Sequence, residues 1–259
     1  MCSSDLPEIA FQISGQETLG AIEPQIGAGT LRGGGDSAAM TPIPERIAHL
    51  VARTKGWVDL RTTPPPQKRI AVLYYNSGVD KRGLARGTAT GMFLNGPQSL
   101  VAVLQRLQRD GYAVGTPPQH EDELLPALLR GGRQLLPNDE RGMAELVRDG
   151  KPALVSLARF TAWLEARVPA AARAQLVERY GPPPGTFMTW RDAHGETFLV
   201  IPRVEFGNVV LLPQPLRGET YDSATAHDKL AAPPYNYLAT YFWLQEEWGA
   251  QALVHFGTH

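Results

Sequence analysis

The clearest pattern along the chain is RIAVLYY at 69–75, a continuous run of apolar, β-branched and aromatic residues that follows Pro64, Pro65 and Pro66. Such a run marks a strand covered on both faces and so predicts a parallel sheet. Upstream, Ile43, Ile47, Leu50, Val51, Trp57 and Leu60 recur near the roughly 3.6-residue period of a helix. The pattern predicts a helix from Pro44 until the three prolines stop it. Downstream, Asn95 or Gly96 caps a helix with Pro97 in its first turn. Leu100, Val103, Leu104 and Leu107 form its apolar face, and Gly111 ends it. Tyr112 to Val114 then reads as a returning strand, completing a β-loop-α-β run, the unit of an α/β domain.

Further helices are predicted at 121–130, at 139–149 and at 157–167 behind Ser156 as N-cap, and another with Pro169 near its start and Gly181 at its stop. After Pro182, Pro183 and Pro184 the character changes to strand, at 198–204 and 208–213. A helix with an apolar and aromatic surface follows at 235–248, and 252–256 (ALVHF) reads as a last buried strand. A strand in that position belongs at the centre of a doubly wound sheet, yet the chain stops at His259, so this reading expects a truncated frame. The segments divide into an irregular and helical N-terminal part (1–66), a first α/β unit (67–153), and a helical insertion with a second α/β unit (154–259). The fold class is α/β, with Rossmann-like parallel-sheet units and helical insertions.

Composition narrows the function. Of 259 residues, 43% are hydrophobic and 20% charged, which is the balance of a globular chain rather than a disordered one. Lys and Arg number 25 against 26 Asp and Glu, so no global field collects nucleic acid or an anionic membrane surface. No apolar run approaches the length of a membrane span, and the N-terminus lacks the basic and apolar regions of a secretion signal. The expectation is a cytoplasmic protein with no membrane insertion and no nucleic-acid partner. Cys2 is the single cysteine, so a metal must be held by imidazole, carboxylate or amide groups.

The candidate chemistry sits late in the chain. His255 and His259 have the i, i+4 spacing of a zinc-protease helix, but Phe256 stands where that motif needs Glu. On a strand instead, His255 falls at the carboxyl end and His259 in the turn beyond, where α/β folds bind ligands. Two imidazoles there suit cobalt, nickel or zinc; the alternative is two histidines bonded to backbone. The segment from Asn208 to Gly218 is a strand running into polar residues among prolines. Its Gln214 and Arg217 either meet a carboxylate-bearing ligand, with Arg217 gripping it bidentately, or lie solvated in a tight turn. His227 beside Asp228 is either an imidazole oriented by a carboxylate or a chance adjacency.

Gly83, Gly87 and Gly91 follow the first strand, where a binding loop belongs. The glycines at 27, 29 and 33–35 lack dinucleotide spacing, and no Gly-Lys-Ser/Thr occurs, so no ATP site is expected. No G-x-S-x-G elbow is present. Tyr237, Tyr241, Trp243 and Trp248 read as packing against the sheet.

Several ordered blocks carry a resemblance: PIPERIAHLVARTKGWVDLR, KRIAVLYYN, FLNGPQSLVAVLQRLQRDGYAV, VEFGNVVLLPQPLRG and AHDKLAAPPYNYLATYFWLQEEWGAQALVHFGTH. Together, from about Ile22 to His259, they resemble the CobN family, the large subunit of cobaltochelatase and magnesium chelatase. HFGTH is the most specific block, and in the family it continues with Gly and soon a Glu.

The resemblance implies an internal fragment of a larger multidomain, tetrapyrrole-binding subunit. It implies insertion of a divalent metal, cobalt into a corrin precursor in cobalamin biosynthesis, while separate AAA+ subunits hydrolyse the ATP. Magnesium insertion into protoporphyrin IX and a non-enzymatic tetrapyrrole-binding module are the alternatives. QPLRG and Trp243-Leu244-Gln245 look closer to the cobalt branch. The roles implied are metal delivery or proton removal for His255 and His259, and contact with the macrocycle for Asn208, Gln214, Arg217 and His227. One position departs: Tyr235 stands where the family usually has His before Tyr-Leu-Ala, and a phenol is a poor ligand at neutral pH.

Overall fold

The computed structural model describes residues 13–30, 40–75, 95–135, 138–217 and 232–257. The chain divides into two units, 1–62 and 63–259. In the first, strands β1 (Ala28–Thr30) and β2 (Met40–Pro42) pair antiparallel and lead into helix α1 (Pro44–Thr62). The carboxylate of Glu23 accepts from Arg53 at 2.7 and 2.8 Å and from the Trp57 indole at 2.9 Å, pinning the helix to the segment before β1. Hydrogen bonds from Arg53 and then Trp57 hold this carboxyl below its ordinary range. The predicted helix is present, but none of its residues is buried.

The second unit is built on β3 (Ile70–Tyr74), with β8 (Val209–Pro213) and β9 (Ala252–Phe256) parallel on either side. Strand β7 (Val204–Phe206) adds antiparallel to β8, giving the order β7-β8-β3-β9. A second, antiparallel sheet has the order β4-β6-β5, from β4 (Ala153–Ser156), β5 (Thr189–Arg191) and β6 (Thr197–Ile201).

Side chains alternate across the parallel sheet. Ile70, Val72, Tyr74, Val209 and Leu211 pack on α2 (Gly96–Arg109) and α3 (Glu121–Gly131). Ala71, Leu73, Val210 and Leu212 pack on α5 (Leu157–Arg167), α6 (Ala170–Tyr180) and α7 (Tyr235–Glu246), together with β4 and β6. Both faces are covered, which is why 70–74 and 209–213 read as unbroken apolar runs. Each buried leucine or valine stabilises the fold by about 1.5–3 kcal/mol relative to exposure.

The local signals for helix ends operate as expected. Asn95 Oδ1 accepts from Gln98 N at 3.1 Å, Ser156 caps α5, and Gly181 closes α6. The helix predicted at 139–149 forms as α4 (Glu140–Glu145) continued by a π turn, Leu146–Gly150.

Three strand expectations change. Residues 112–114 form no strand: the place beside β8 is taken by β7, and the Ala113 carbonyl instead accepts from Asn208 N at 2.7 Å. The run 198–204 is broken at Pro202 and Arg203, so that β6 and β7 serve different sheets. The last strand forms at 252–256, but at the sheet edge and not buried, with Leu253 40% and Val254 45% exposed. Among the described residues only β3 pairs with it.

The β7–β8 turn depends on Gly207, whose φ is +58° and whose missing Cβ would stand 2.3 Å from the Ala113 carbonyl oxygen. Gly207→Ala is expected to cost about 2 kcal/mol in urea denaturation, from left-handed strain and the clash together. A cost below roughly 0.5 kcal/mol would contradict this packing. No helix among the described residues is long and apolar enough to cross a membrane.

Candidate functional site

The strand sequence β8-β3-β9 places the second parallel strand on one side of the first and the third on the other. The order therefore reverses between β3 and β9, and the crevice outside their carboxyl ends is where open α/β sheets take ligands. Hydrogen bonding continues past the strands there: Tyr75 N donates to the Phe256 carbonyl at 2.9 Å and Gln214 N to the Tyr74 carbonyl at 2.8 Å. Gly257 permits the close approach of the two exits, since a Cβ on it would meet Tyr75 Cβ at 2.8 Å. Helix α7 leads from β8 back to β9. Its first turns lie toward the carboxyl ends, and just beyond its end the Trp248 carbonyl accepts from Arg69 Nη1 at 2.7 Å, at the amino end of β3.

His255 is in register with Leu73 and so shares the sheet face that meets α7. Its exposed imidazole stacks on Tyr241, ring centroids 6.3 Å apart and planes 25° apart. Gln214 Nε2 donates to Tyr241 Oη at 3.3 Å, and the Tyr237 ring lies 5.0 Å from that of Tyr241. Burial first, and a hydrogen bond with Tyr237 second, push the Tyr241 phenol well above its usual value, against the opposing pull of Gln214 and the Arg217 charge. Two residues singled out from the sequence, Gln214 and His255, thus meet at Tyr241, and the charge of a third, Arg217, is felt there. Sequence reasoning gives that tyrosine only a packing role. The signal that marks it is the i, i+4 pair Tyr237 and Tyr241, which stands on a different side of α7 from buried Ala239 and Trp243.

Asn208 is not with them. It sits at the other end of β8, about 20 Å away at the rise of a strand. Its Nδ2 donates to the Pro66 carbonyl at 2.9 Å and its carbonyl accepts from Ile70 N at 2.9 Å, tying the start of β3 to the β7–β8 turn. His227, His259 and the glycines 83, 87 and 91 lie outside the described residues. Among those described, no group of three or more His, Cys, Asp or Glu is placed to hold a metal. A cavity of about 430 Å³ between Leu154, Arg203, Trp243 and Trp248 is lined by none of the predicted site residues.

Tyr235, the departure from the family pattern, is 2% exposed. Its hydroxyl donates to the Gly181 carbonyl at 2.8 Å, and its ring meets Phe160 and Tyr180 edge-on at 5.9 and 6.2 Å. It is a packing residue between α7 and α5–α6. Burial raises its pKa above the ordinary 10.0. The folded state therefore keeps a proton that the unfolded chain releases, so the contribution of Tyr235 to stability is level below about pH 10 and falls as pH rises through and beyond it. Tyr235→Phe is expected to flatten that alkaline decline and to cost about 1 kcal/mol at neutral pH through the lost hydrogen bond. Urea midpoints at pH 7 and pH 11 measure both effects, and an equal alkaline decline in the two proteins would count against a buried phenol.

A family model described as CobN/Magnesium Chelatase matches residues 4–259. Among curated relatives, a magnesium-chelatase subunit of Rhodobacter capsulatus is 31% identical over 225 residues, which are 86% of this chain and 17% of that protein. The CobN subunit of the aerobic cobaltochelatase of Pseudomonas aeruginosa is 30% identical over 218 residues, 83% of this chain and 16% of that protein. A solved structure, the catalytic subunit of cobaltochelatase from Mycobacterium tuberculosis, superposes with a TM-score of 0.67 at 30% identity, covering 90% of this chain and 18% of that one. The chain spans less than a fifth of the length of each of these proteins.

Proposed function

The chain belongs to the CobN/magnesium chelatase family, and on that premise we propose that it forms part of the tetrapyrrole-binding large subunit of a cytoplasmic metal chelatase. The reaction proposed is ATP-dependent insertion of cobalt into a corrin precursor, with AAA+ partner subunits binding and hydrolysing the ATP. Magnesium insertion into protoporphyrin IX is the alternative, since relatives of both names match at similar identity. The observation that carries the reading is the convergence of Gln214 and His255 on Tyr241 at the carboxyl ends of the parallel strands.

Insertion removes two pyrrole N–H protons and strips water from the incoming ion, which calls for a base of near-neutral pKa and exchangeable nitrogen or oxygen ligands. An exposed imidazole at His255, with His259 four positions later in the sequence, suits the passage of metal or protons. Arg217 suits a carboxylate on the rim of the macrocycle through paired hydrogen bonds. Gln214 spends its Nε2 on Tyr241, so its Oε1 is the atom that would face a ligand donor. Asn208 is engaged at the opposite end of the sheet and has no part in this set.

The test is the visible spectrum of a metal-free corrin-type tetrapyrrole with cobalt(II), the purified subunit, its ATPase partners and ATP. The expected result is conversion to the metallated spectrum that requires both ATP and the partners. A binding shift alone, unchanged by ATP, would sink the enzyme reading and leave a tetrapyrrole-binding module.

A further inference from the structure

On the basis of the reading above, we infer that Tyr241 is the positioning residue of this site: its ring sets the plane of the His255 imidazole, and its hydroxyl ties that ring to the β8 exit through Gln214. His255 projects from an edge strand and is exposed, so its side-chain torsions have little packing to restrain them. The restraint is the stack on Tyr241, 6.3 Å between centroids and 25° between planes. Tyr241 is itself held from two further directions, by the 3.3 Å hydrogen bond from Gln214 and by the Tyr237 ring one helical turn earlier. One side chain therefore links helix α7, the exit of β8 and the end of β9, which come from distant parts of the chain.

Tyr241 spends its hydroxyl on the hydrogen bond from Gln214 and its ring face on the imidazole. Its contribution is to fix the direction from which His255 presents nitrogen, reducing the rotamer freedom lost when a metal binds.

The experiment compares the whole chain with its Tyr241→Leu and Tyr241→Phe variants by two readouts: the ring-proton NMR resonances of His255, and titration with cobalt(II) alone followed by visible absorption. Leucine is expected to move the His255 resonances downfield, as the shielding of the stacked ring is lost, and to weaken cobalt(II) binding by roughly 2- to 12-fold. Phenylalanine keeps the ring and should restore most of both, with a smaller change in the same direction because the Gln214 tie is gone. Unchanged resonances and unchanged binding in the leucine variant would overturn the inference. If that variant does not fold, phenylalanine decides: complete identity with the parent chain in both readouts removes the tether. His255→Ala serves as the separate control. If it binds cobalt(II) as the parent does, the metal-handling role of His255 fails, while the resonance shifts still decide whether Tyr241 positions the ring.

Discussion

Alanine at His259 or at His255 in the complete chelatase subunit is expected to lower cobalt insertion by at least about 100-fold while leaving tetrapyrrole binding within about twofold. The separation of the two effects is the physical content of the proposal. An imidazole that passes protons or metal acts only when bonds to the pyrrole nitrogens change, so its loss leaves ground-state affinity intact. Arg217→Ala should show the reverse balance, with affinity lost first, because a guanidinium gripping a rim carboxylate contributes before any metal moves. Fluorescence quenching of the metal-free tetrapyrrole gives binding, and the metallated spectrum gives turnover. Parallel loss of binding and insertion in the histidine variants would instead mark both residues as structural.

Leu73→Ala is expected to be the most destabilising single truncation near the site, by about 2–5 kcal/mol. Leu73 lies at 1% exposure in the middle strand, paired with Leu212 on one side and His255 on the other. Removing its side chain opens a cavity under α7 that neither neighbouring strand can close without leaving register. Leu253→Ala, on the exposed edge strand, is the internal comparison and should stay within about 0.5 kcal/mol. Urea denaturation of the two variants side by side measures the difference. Equal costs would mean that β9 is as enclosed as β3, contrary to the edge position assigned to it.

The contrast between these two leucines also shows how far the sequence can be read. RIAVLYY and NVVLLP are nearly identical in character to ALVHF, and each forms a strand within a residue or two of its expected limits. Periodicity reports that a run is apolar, not how many neighbours it acquires. It therefore cannot distinguish the middle strand from the edge strand. The same blindness explains residues 112–114: their composition permits a strand, but β7 occupies the place beside β8 and leaves Ala113 to cap the Gly207 turn. In the candidate site, Gln214, Arg217 and His255 draw notice in the sequence because polar residues at the exit of an apolar strand stand out. Tyr241 is marked only as half of an i, i+4 pair with Tyr237, and that spacing puts both rings on one side of the helix without saying what that side meets.

By itself the sequence determined what is local: the helix ends at Asn95, Ser156 and Gly181, the apolar cores of β3 and β8, and the ordered blocks that carry the family resemblance. These depend on capping groups, backbone preferences and side-chain types that act within a few residues. Tertiary structure alone decided the order β7-β8-β3-β9, the edge position of β9, the removal of Asn208 to the far end of the sheet, and the meeting of Tyr241 with His255. Each of these is a pairing between distant segments, settled by which arrangement covers both sheet faces and satisfies the backbone hydrogen bonds at once, a condition that no single stretch of the chain contains.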